Sequence, residues 1–395
     1  MTATLDIASL LCSIARVGAE SPLLPDLRAI EPFAHFFNRT GQIESNSLDK
    51  RDGSCTRREL ILRFLVLNAV LDQGLDIVGV RRLLLQVTNN LYRREVRFLH
   101  SPAAFFAELG IAIDQIVGEH SSIKKIRSET WARENQSSPN KYNLFMDNAK
   151  QALSYTVFRW GVPLALPLLL ERDERDEDRR DAVLVRYLKS WQSAEEMSQQ
   201  LKDNERYGLG KAIGDKAGHL FAKWAVSSFA LLREATPNWN AFSFEVPFDS
   251  NTGRVLWRTG FFLHWADESD YVRMKVVQRG AGKGGTNYIR VTNIRGMKAA
   301  VDLPDEIWKA YVEICCKHLR SHKKAPQTAE IQRIPLAYLL SAGTSVASAE
   351  LDEGLIHIGT RFCFNHSEPK CRDCPIRKHC VARISKPELI RDYRT

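Results

Sequence analysis

Apolar residues recur at helical spacing along most of the chain, and strand-like alternation is confined to one stretch. Thr56-Arg57-Arg58-Glu59 has the form of a capping box. The helix it opens is apolar at Leu60, Phe64, Leu67 and Leu71, with Ile61 and Leu65 widening the stripe. So broad an apolar surface predicts a central, buried helix. Asp72-Gln73-Gly74 ends it, with Gly74 as a left-handed cap. Helical stretches are expected at about 76–98 and 101–118, a polar loop over 121–140, and another helix through Leu144, Ala149, Leu153 and Val157. Ser193-Ala194-Glu195-Glu196 is a second capping box, before a short helix through Met197 and Leu201. A glycine-rich segment, Tyr207 to Gly218, joins it to a longer helix apolar at Leu220, Phe221, Trp224, Leu231 and Leu232. Val272 to Val276 alternates apolar and basic residues, a turn runs through Gly280, Gly282, Gly284 and Gly285, and Tyr288 to Thr292 follows. That pattern predicts a β-hairpin with one cationic face. Residues 1–55 are weakly patterned, with one short helix near Leu5 to Arg16.

With 395 residues, 44% of them hydrophobic, the chain can bury a sizeable core divided over two or three domains. The longest apolar run, Val162 to Leu170, is far short of the roughly 20 residues a membrane span needs and holds two prolines. Met1 to Glu20 lacks the basic start and cleavage pattern of a secretory signal. The expectation is a soluble, non-secreted protein, cytoplasmic if bacterial and nuclear if eukaryotic. The formal charge is +9, and residues 251–300 hold nine Lys/Arg against three acids, a net +6. A polyanion such as DNA suits that stretch, with Arg273, Lys275, Lys283 and Arg290 as contacts; an ordinary solvated strand face is the other reading. Gly280 to Thr286 superficially resembles a P-loop, but Gly284 follows Lys283 where Ser or Thr is needed.

Four of the eight cysteines are scattered: Cys12, Cys55, Cys315 and Cys316. The others, Cys363, Cys371, Cys374 and Cys380, fall within eighteen residues as C-x7-C-x2-C-x5-C. Without a secretory signal, such a group reads as metal ligation before disulfides. Four thiolates suit a tetrahedral zinc or a 4Fe–4S cube. One C-x2-C between two longer arms favours the cube, and zinc is the alternative.

Two shorter motifs lie upstream. A helix, a glycine-rich hairpin and a second helix form a phosphate-binding arrangement, because glycine admits close approach and the second helix offers unpaired N–H groups. Gly208, Gly210, Ile213 and Gly214 are its candidate contacts. Lys216 stands in the first turn of that second helix, where burial and the helix dipole favour the neutral amine, a nucleophile. The plainer reading is a solvated surface lysine. Asp249 follows an apolar run and precedes a helix start at Ser250 or Asn251. It is either a helix cap or a carboxylate facing a developing positive charge.

Taken in order, these features resemble the helix-hairpin-helix DNA glycosylases of the endonuclease III type, with a C-terminal iron–sulfur cluster. Leu67 to Gln73 looks like the family's central helix with its Gln wedge. Ile213-Gly214-Asp215-Lys216 is similar to the end of the hairpin, Phe248 to Val255 to the aspartate segment, and Leu355 to Cys363 to the approach to the first cluster ligand. The resemblance implies a mainly α, two-lobed architecture. A helical barrel over 56–235 would face a lobe built from 236–395 with residues 1–55 packed on it. A small β-hairpin would be inserted at about 268–297, and the active site would lie in the cleft. It further implies excision of a damaged or modified base from duplex DNA by a monomeric enzyme, with base flipping around Gln73, electrostatic help from Asp249 and lyase chemistry from Lys216. Tyr207, Trp257 and Trp265 are possible stacking partners. A non-catalytic reader of modified DNA on the same scaffold is the alternative. The chain departs from the family in several places. The first cluster arm is one residue longer, the hairpin lacks the Leu-Pro pair, Ala212 replaces its first glycine, and Asn251 takes the place of the family's His. In another register Lys211 falls one place short of the nucleophile position, which would leave a glycosylase without lyase activity.

Overall fold

Among the described residues, helices make up nearly all of the regular structure. The computed structural model describes residues 6–22, 24–39, 43, 45–72, 77–108, 110–118, 120–126, 157–191, 193–232, 250–261, 277–281, 287–291, 305, 348–364 and 367–392. Its α-helices are α1 (Ile7–Glu20), α2 (Arg57–Leu71), α3 (Ile77–Arg93), α4 (Pro102–Glu108), α5 (Ile113–Val117), α6 (Ile123–Ile126) and α7 (Val157–Asp173). They continue with α8 (Val183–Lys189), α9 (Ala194–Asp203), α10 (Asp215–Ala222), α11 (Ser250–Arg258), α12 (Ser348–Arg361), α13 (Val381–Ile384) and α14 (Glu388–Asp392). Two antiparallel pairs complete it: β1 (Arg51–Asp52) with β2 (Cys55–Thr56), and β3 (Val277–Ala281) with β4 (Asn287–Val291). No helix among the described residues is long and apolar enough to cross a membrane.

The chain divides into two compact units, residues 24–241 and residues 1–23 with 242–395. In the first, α2 is the central helix. Leu60, Ile61, Leu62, Leu65, Leu67, Ala69 and Val70 are all fully buried, so its apolar residues face neighbours on every side. Thr56 Oγ1 accepts the Glu59 N–H at 3.3 Å, which is half of a capping box. The other half is absent: the Glu59 carboxylate accepts the N–H groups of Leu184 and Val185 at 3.1 and 2.9 Å. It therefore caps α8, whose own N-cap residue supplies no side chain, while Arg63 donates to it at 2.9 Å. Burial of Leu27, Ile30, Phe33, Phe36 and Leu48 in this core places the N-terminal boundary near residue 23, not at 55. Between α4 and α5, Gly110 adopts φ +70° and breaks the helix expected over 101–118. Helix α7 continues through Pro163 and Pro167. Each proline costs a backbone bond, but Trp160, Val162, Leu164, Ala165, Leu166 and Leu169 are almost wholly buried around them. At about 1.5–3 kcal/mol per large apolar side chain, that burial outweighs the loss.

In the second unit α1 crosses α12 at two glycines. A Cβ on Gly18 would stand 1.9 Å from the Glu350 carbonyl oxygen, and one on Gly354 would stand 1.9 Å from that of Ile14. Only hydrogen at both positions permits the approach that buries Leu10, Leu11 and Ile14 of α1 and Leu351, Leu355 and Ile358 of α12. Helix α1 runs four residues beyond its expected end, and Asp6 caps it by accepting the Ser9 N–H at 3.1 Å. A β-hairpin is present: Val277 pairs with Val291 and Gly280 with Tyr288, so Gly280 lies inside the ladder, and the expected strand at 272–276 lies outside the described residues.

Candidate functional site

The glycine-rich segment joins two helices, α9 and α10, through a 3-10 turn. Ser193 Oγ accepts the Glu196 N–H at 3.1 Å and starts α9. Gly208 ends the first arm in contact with its own backbone; a Cβ there would be 2.4 Å from the Asn204 carbonyl oxygen. Gly210 turns the chain with φ +55°, in the region other residues disfavour. Gly214 is the N-cap of α10, and no side chain caps that terminus. The hairpin therefore ends at Gly214, with Lys216 as the second residue of α10, whereas Lys211 sits in the preceding 3-10 turn. Gly214 is exposed, with open space where a Cβ would be.

Ile213 departs from its expected role as a DNA contact. Its side chain is 1% exposed, among Leu209, Ala212 and Leu201 in the core, and its N–H bonds the Gly210 carbonyl at 3.2 Å. It anchors the hairpin from beneath. The amides of Gly208, Leu209 and Ala212 are likewise bonded, to the carbonyls of Asn204, Leu201 and Leu209. Tyr207 is also committed elsewhere: its hydroxyl donates to Asp173 at 2.9 Å and its ring meets Tyr187 edge-on at 5.3 Å. Beyond α10 the chain takes a π-helical turn, Lys223–Ser228, rather than the long α-helix expected. Trp224 is buried there, with the Arg81 guanidinium 5.3 Å from its ring. Arg81 also donates twice to Asp72, at 3.1 and 2.9 Å, fastening the end of α2 next to Gln73.

In the other unit the four clustered cysteines, all free thiols, line one small cavity of about 30 Å³. Its walls include Val255, Ile358, Ile376 and Ile390. The Cys363 N–H bonds the Ile358 carbonyl at the end of α12, and Lys370 N–H to Phe362 carbonyl closes the first arm, both at 2.8 Å. Burial pushes the Cys374 thiol up to about 12 and that of Cys380 up to about 11, and raises Cys371 as well. Backbone N–H groups oppose this, from Ile376 towards Cys374 and from Arg383 and Ala382 towards Cys380. Among the described residues no three His, Cys, Asp or Glu side chains form a group that could hold a metal ion.

Helix α11 is bonded directly to this loop. Arg254, 5% exposed, donates to the Cys363 and Gly359 carbonyls at 2.5 and 2.8 Å. Arg258, 1% exposed, donates to Cys363 Sγ at 3.4 Å and to the Phe364 and Ile390 carbonyls at 2.6 and 3.2 Å. In return the Cys380 thiol donates to the Arg258 carbonyl at 3.4 Å, and Val381 N–H to that of Thr259 at 3.3 Å. Neither arginine stood out as a site residue in the sequence. The available signal was their spacing of four within the otherwise apolar Val255-Leu256-Trp257 face, since a buried guanidinium requires acceptors. Trp257, expected as a stacking partner, is fully buried in this packing.

Of the other expected site residues, Gln73, Asp249, Arg273, Lys275, Lys283 and Trp265 lie outside the described residues. Ser250, next to Asp249, opens α11. Arg290 belongs to β4, opposite Gln278. No family model matches this chain, and neither the curated proteins nor the solved structures contain a match to it.

Proposed function

We propose that this chain is a DNA glycosylase with associated strand-cleaving lyase activity, acting as a monomer on duplex DNA that carries a damaged or modified base. One observation carries the reading: the helix that begins one residue after Asp249 is joined to the cysteine cavity through Arg254 and Arg258. The two segments, 109 residues apart between Arg254 and Cys363, pack against each other, as the reading requires. The hairpin supports the same reading, because Gly214 opens α10 and puts Lys216 in its first turn.

The donor chemistry of the cysteine loop suits an iron–sulfur cube, although the described side chains are not gathered around a metal position. Its donors are four thiols around one apolar cavity, N–H groups point at two of the sulfurs, and a buried guanidinium can balance cluster charge. Cys363, Cys371, Cys374 and Cys380 would hold it, and bound there it would supply structural cross-linking of the loop. Free thiols in this loop suit a reducing compartment, cytoplasmic or nuclear.

The chemistry would proceed on this chain's own side chains. The target nucleotide leaves the stack, with Gln73 filling the gap. The neutral amine of Lys216 attacks C1′ while the glycosidic C–N bond breaks, and its electron pair departs with the base, which takes up a proton. The Asp249 carboxylate offsets the positive charge that builds on the sugar. Opening of the sugar ring gives a Schiff base between Nζ and C1′. Loss of a C2′ proton then expels the 3′ phosphate, and water releases the lysine. Borohydride with abasic duplex should trap a covalent complex, and Lys216→Ala should abolish it. Trapping that survives in this variant removes Lys216 from the role, and no trapping or base release by the wild-type protein removes the enzyme reading.

A further inference from the structure

The geometry points to a second nucleic-acid contact, a phosphodiester-binding trough formed jointly by α1 and the last two arms of the cysteine loop. It rests on the reading of the chain as a DNA-binding protein, and it uses neither the hairpin nor the inserted β-strands. Arg16 of α1 meets Arg372, Arg377, Lys378 and His379 of the loop around an open depression of about 600 Å³, with Asp373 as its one acid. Arg16, Arg372, Arg377 and Lys378 are exposed, and among the described residues none of them is ion-paired. Arg377 spends one nitrogen on the Arg372 carbonyl at 2.8 Å, which orients its guanidinium without neutralising it.

The cations stand on a fixed scaffold. Ile376 is buried beneath them, Arg377 N–H bonds the Cys374 carbonyl at 3.1 Å, and His379 N–H bonds that of Ile376 at 2.9 Å. Arg16 reaches the loop because α1 lies against α12 at the paired glycines, so the trough needs segments more than 350 residues apart. Four uncompensated cations in a concavity focus the field on an anion. Guanidinium is the group best matched to phosphate oxygens. The depression is open and broad rather than enclosed, which suits a continuous polyanion better than a small phosphorylated metabolite.

The test measures binding of the full-length, cluster-loaded protein to an undamaged, fluorescein-labelled duplex of about 25 base pairs over a KCl series, by anisotropy. Each phosphate contact contributes about 0.9 to the slope of log Kd against log salt. Arg16→Gln should lower the slope by about 1 and weaken binding about fivefold, and Arg377→Gln/Lys378→Gln should lower it by about 2 and weaken binding more than tenfold. Arg179→Gln, an exposed cation of the other unit, should leave the slope unchanged. Borohydride trapping at saturating abasic duplex should persist in all three. Unchanged slope and affinity in both trough variants, with the wild-type protein binding DNA, overturn the trough and leave the enzyme reading intact. Failure of the wild-type protein to bind DNA overturns both. Arg16 is remote in sequence from every cluster cysteine, so its variant decides the matter even if the loop variants lose iron.

Discussion

Replacing Arg258 with Met tests whether α11 and the cysteine loop form one mechanical unit. The two side chains are similar in length, so the exchange leaves little cavity and isolates the polar contribution. Arg258 is 1% exposed and supplies donors to the Phe364 and Ile390 carbonyls and to Cys363 Sγ. Stranding a buried carbonyl costs about 1–3 kcal/mol, so the two carbonyls together cost about 2–6 kcal/mol. Removing a desolvated cation returns about 1–4 kcal/mol, and the midpoints of the two ranges leave a net loss of about 1.5 kcal/mol. The loss should be larger once a cluster is bound, because a charge-assisted bond to a thiolate is then broken as well. Urea unfolding followed by circular dichroism, alongside iron content and absorbance near 400 nm, would read both effects. Arg258→Lys keeps the charge but not the forked geometry and should fall between wild type and Met. A Met variant with wild-type stability and full iron content would refute the argument that this arginine ties the helix to the loop.

Gly354→Ala forces a methyl group to 1.9 Å from the Ile14 carbonyl oxygen. Opening the crossing of α1 and α12 by more than about 1 Å should cost about 3 kcal/mol or more, at the upper end of overpacking penalties. Thermal unfolding should fall by several degrees, and an unchanged midpoint would contradict the close crossing. Arg58 donates to both carboxylate oxygens of Asp49, at 2.8 and 3.0 Å, and these bonds hold the Asp49 carboxyl below the usual carboxylate range. Its folded pKa is thus below its unfolded value, so the contribution is complete above the unfolded pKa of about 4 and is lost as pH falls through the folded one. In urea titrations at successive pH values, the stability gap between wild type and Asp49→Asn should close below about pH 4. A gap that stays constant into strong acid would sink this assignment.

Features governed by local chemistry were legible in the sequence. The all-round apolar character of α2, the two Ser/Thr caps, the glycine hairpin and the helix start at Ser250 each depend on residues within a turn or two of one another. What escaped depends on tertiary partners. Glu59 has the spacing of a reciprocal cap, yet its carboxylate serves a helix 125 residues away, because a buried N-terminus there has no cap of its own. Val162 to Leu170 reads as a run interrupted by prolines, but packing on all sides holds it helical. Ile213 sits inside a motif associated with DNA contact, yet its side chain is buried in the core of its unit.

The arginines of α11 show why a site of this kind is only half visible in sequence. The metal proposed at Cys363 to Cys380 rests on spacing alone, because ligand chemistry restricts residue type and separation. The residues that orient the loop obey no such spacing rule. Arg254 and Arg258 look like ordinary surface cations until their acceptors are known, and those acceptors are mostly backbone carbonyls, which carry no residue identity. The same feature gives the cysteine loop a mechanical role in the proposed reaction. Asp249 immediately precedes a helix whose two buried arginines draw their hydrogen-bond acceptors from the end of α12, the cysteine loop and α14. Cross-linking the loop through four thiolates would therefore stiffen the support of that helix, and it would do so without the cluster touching DNA or exchanging electrons.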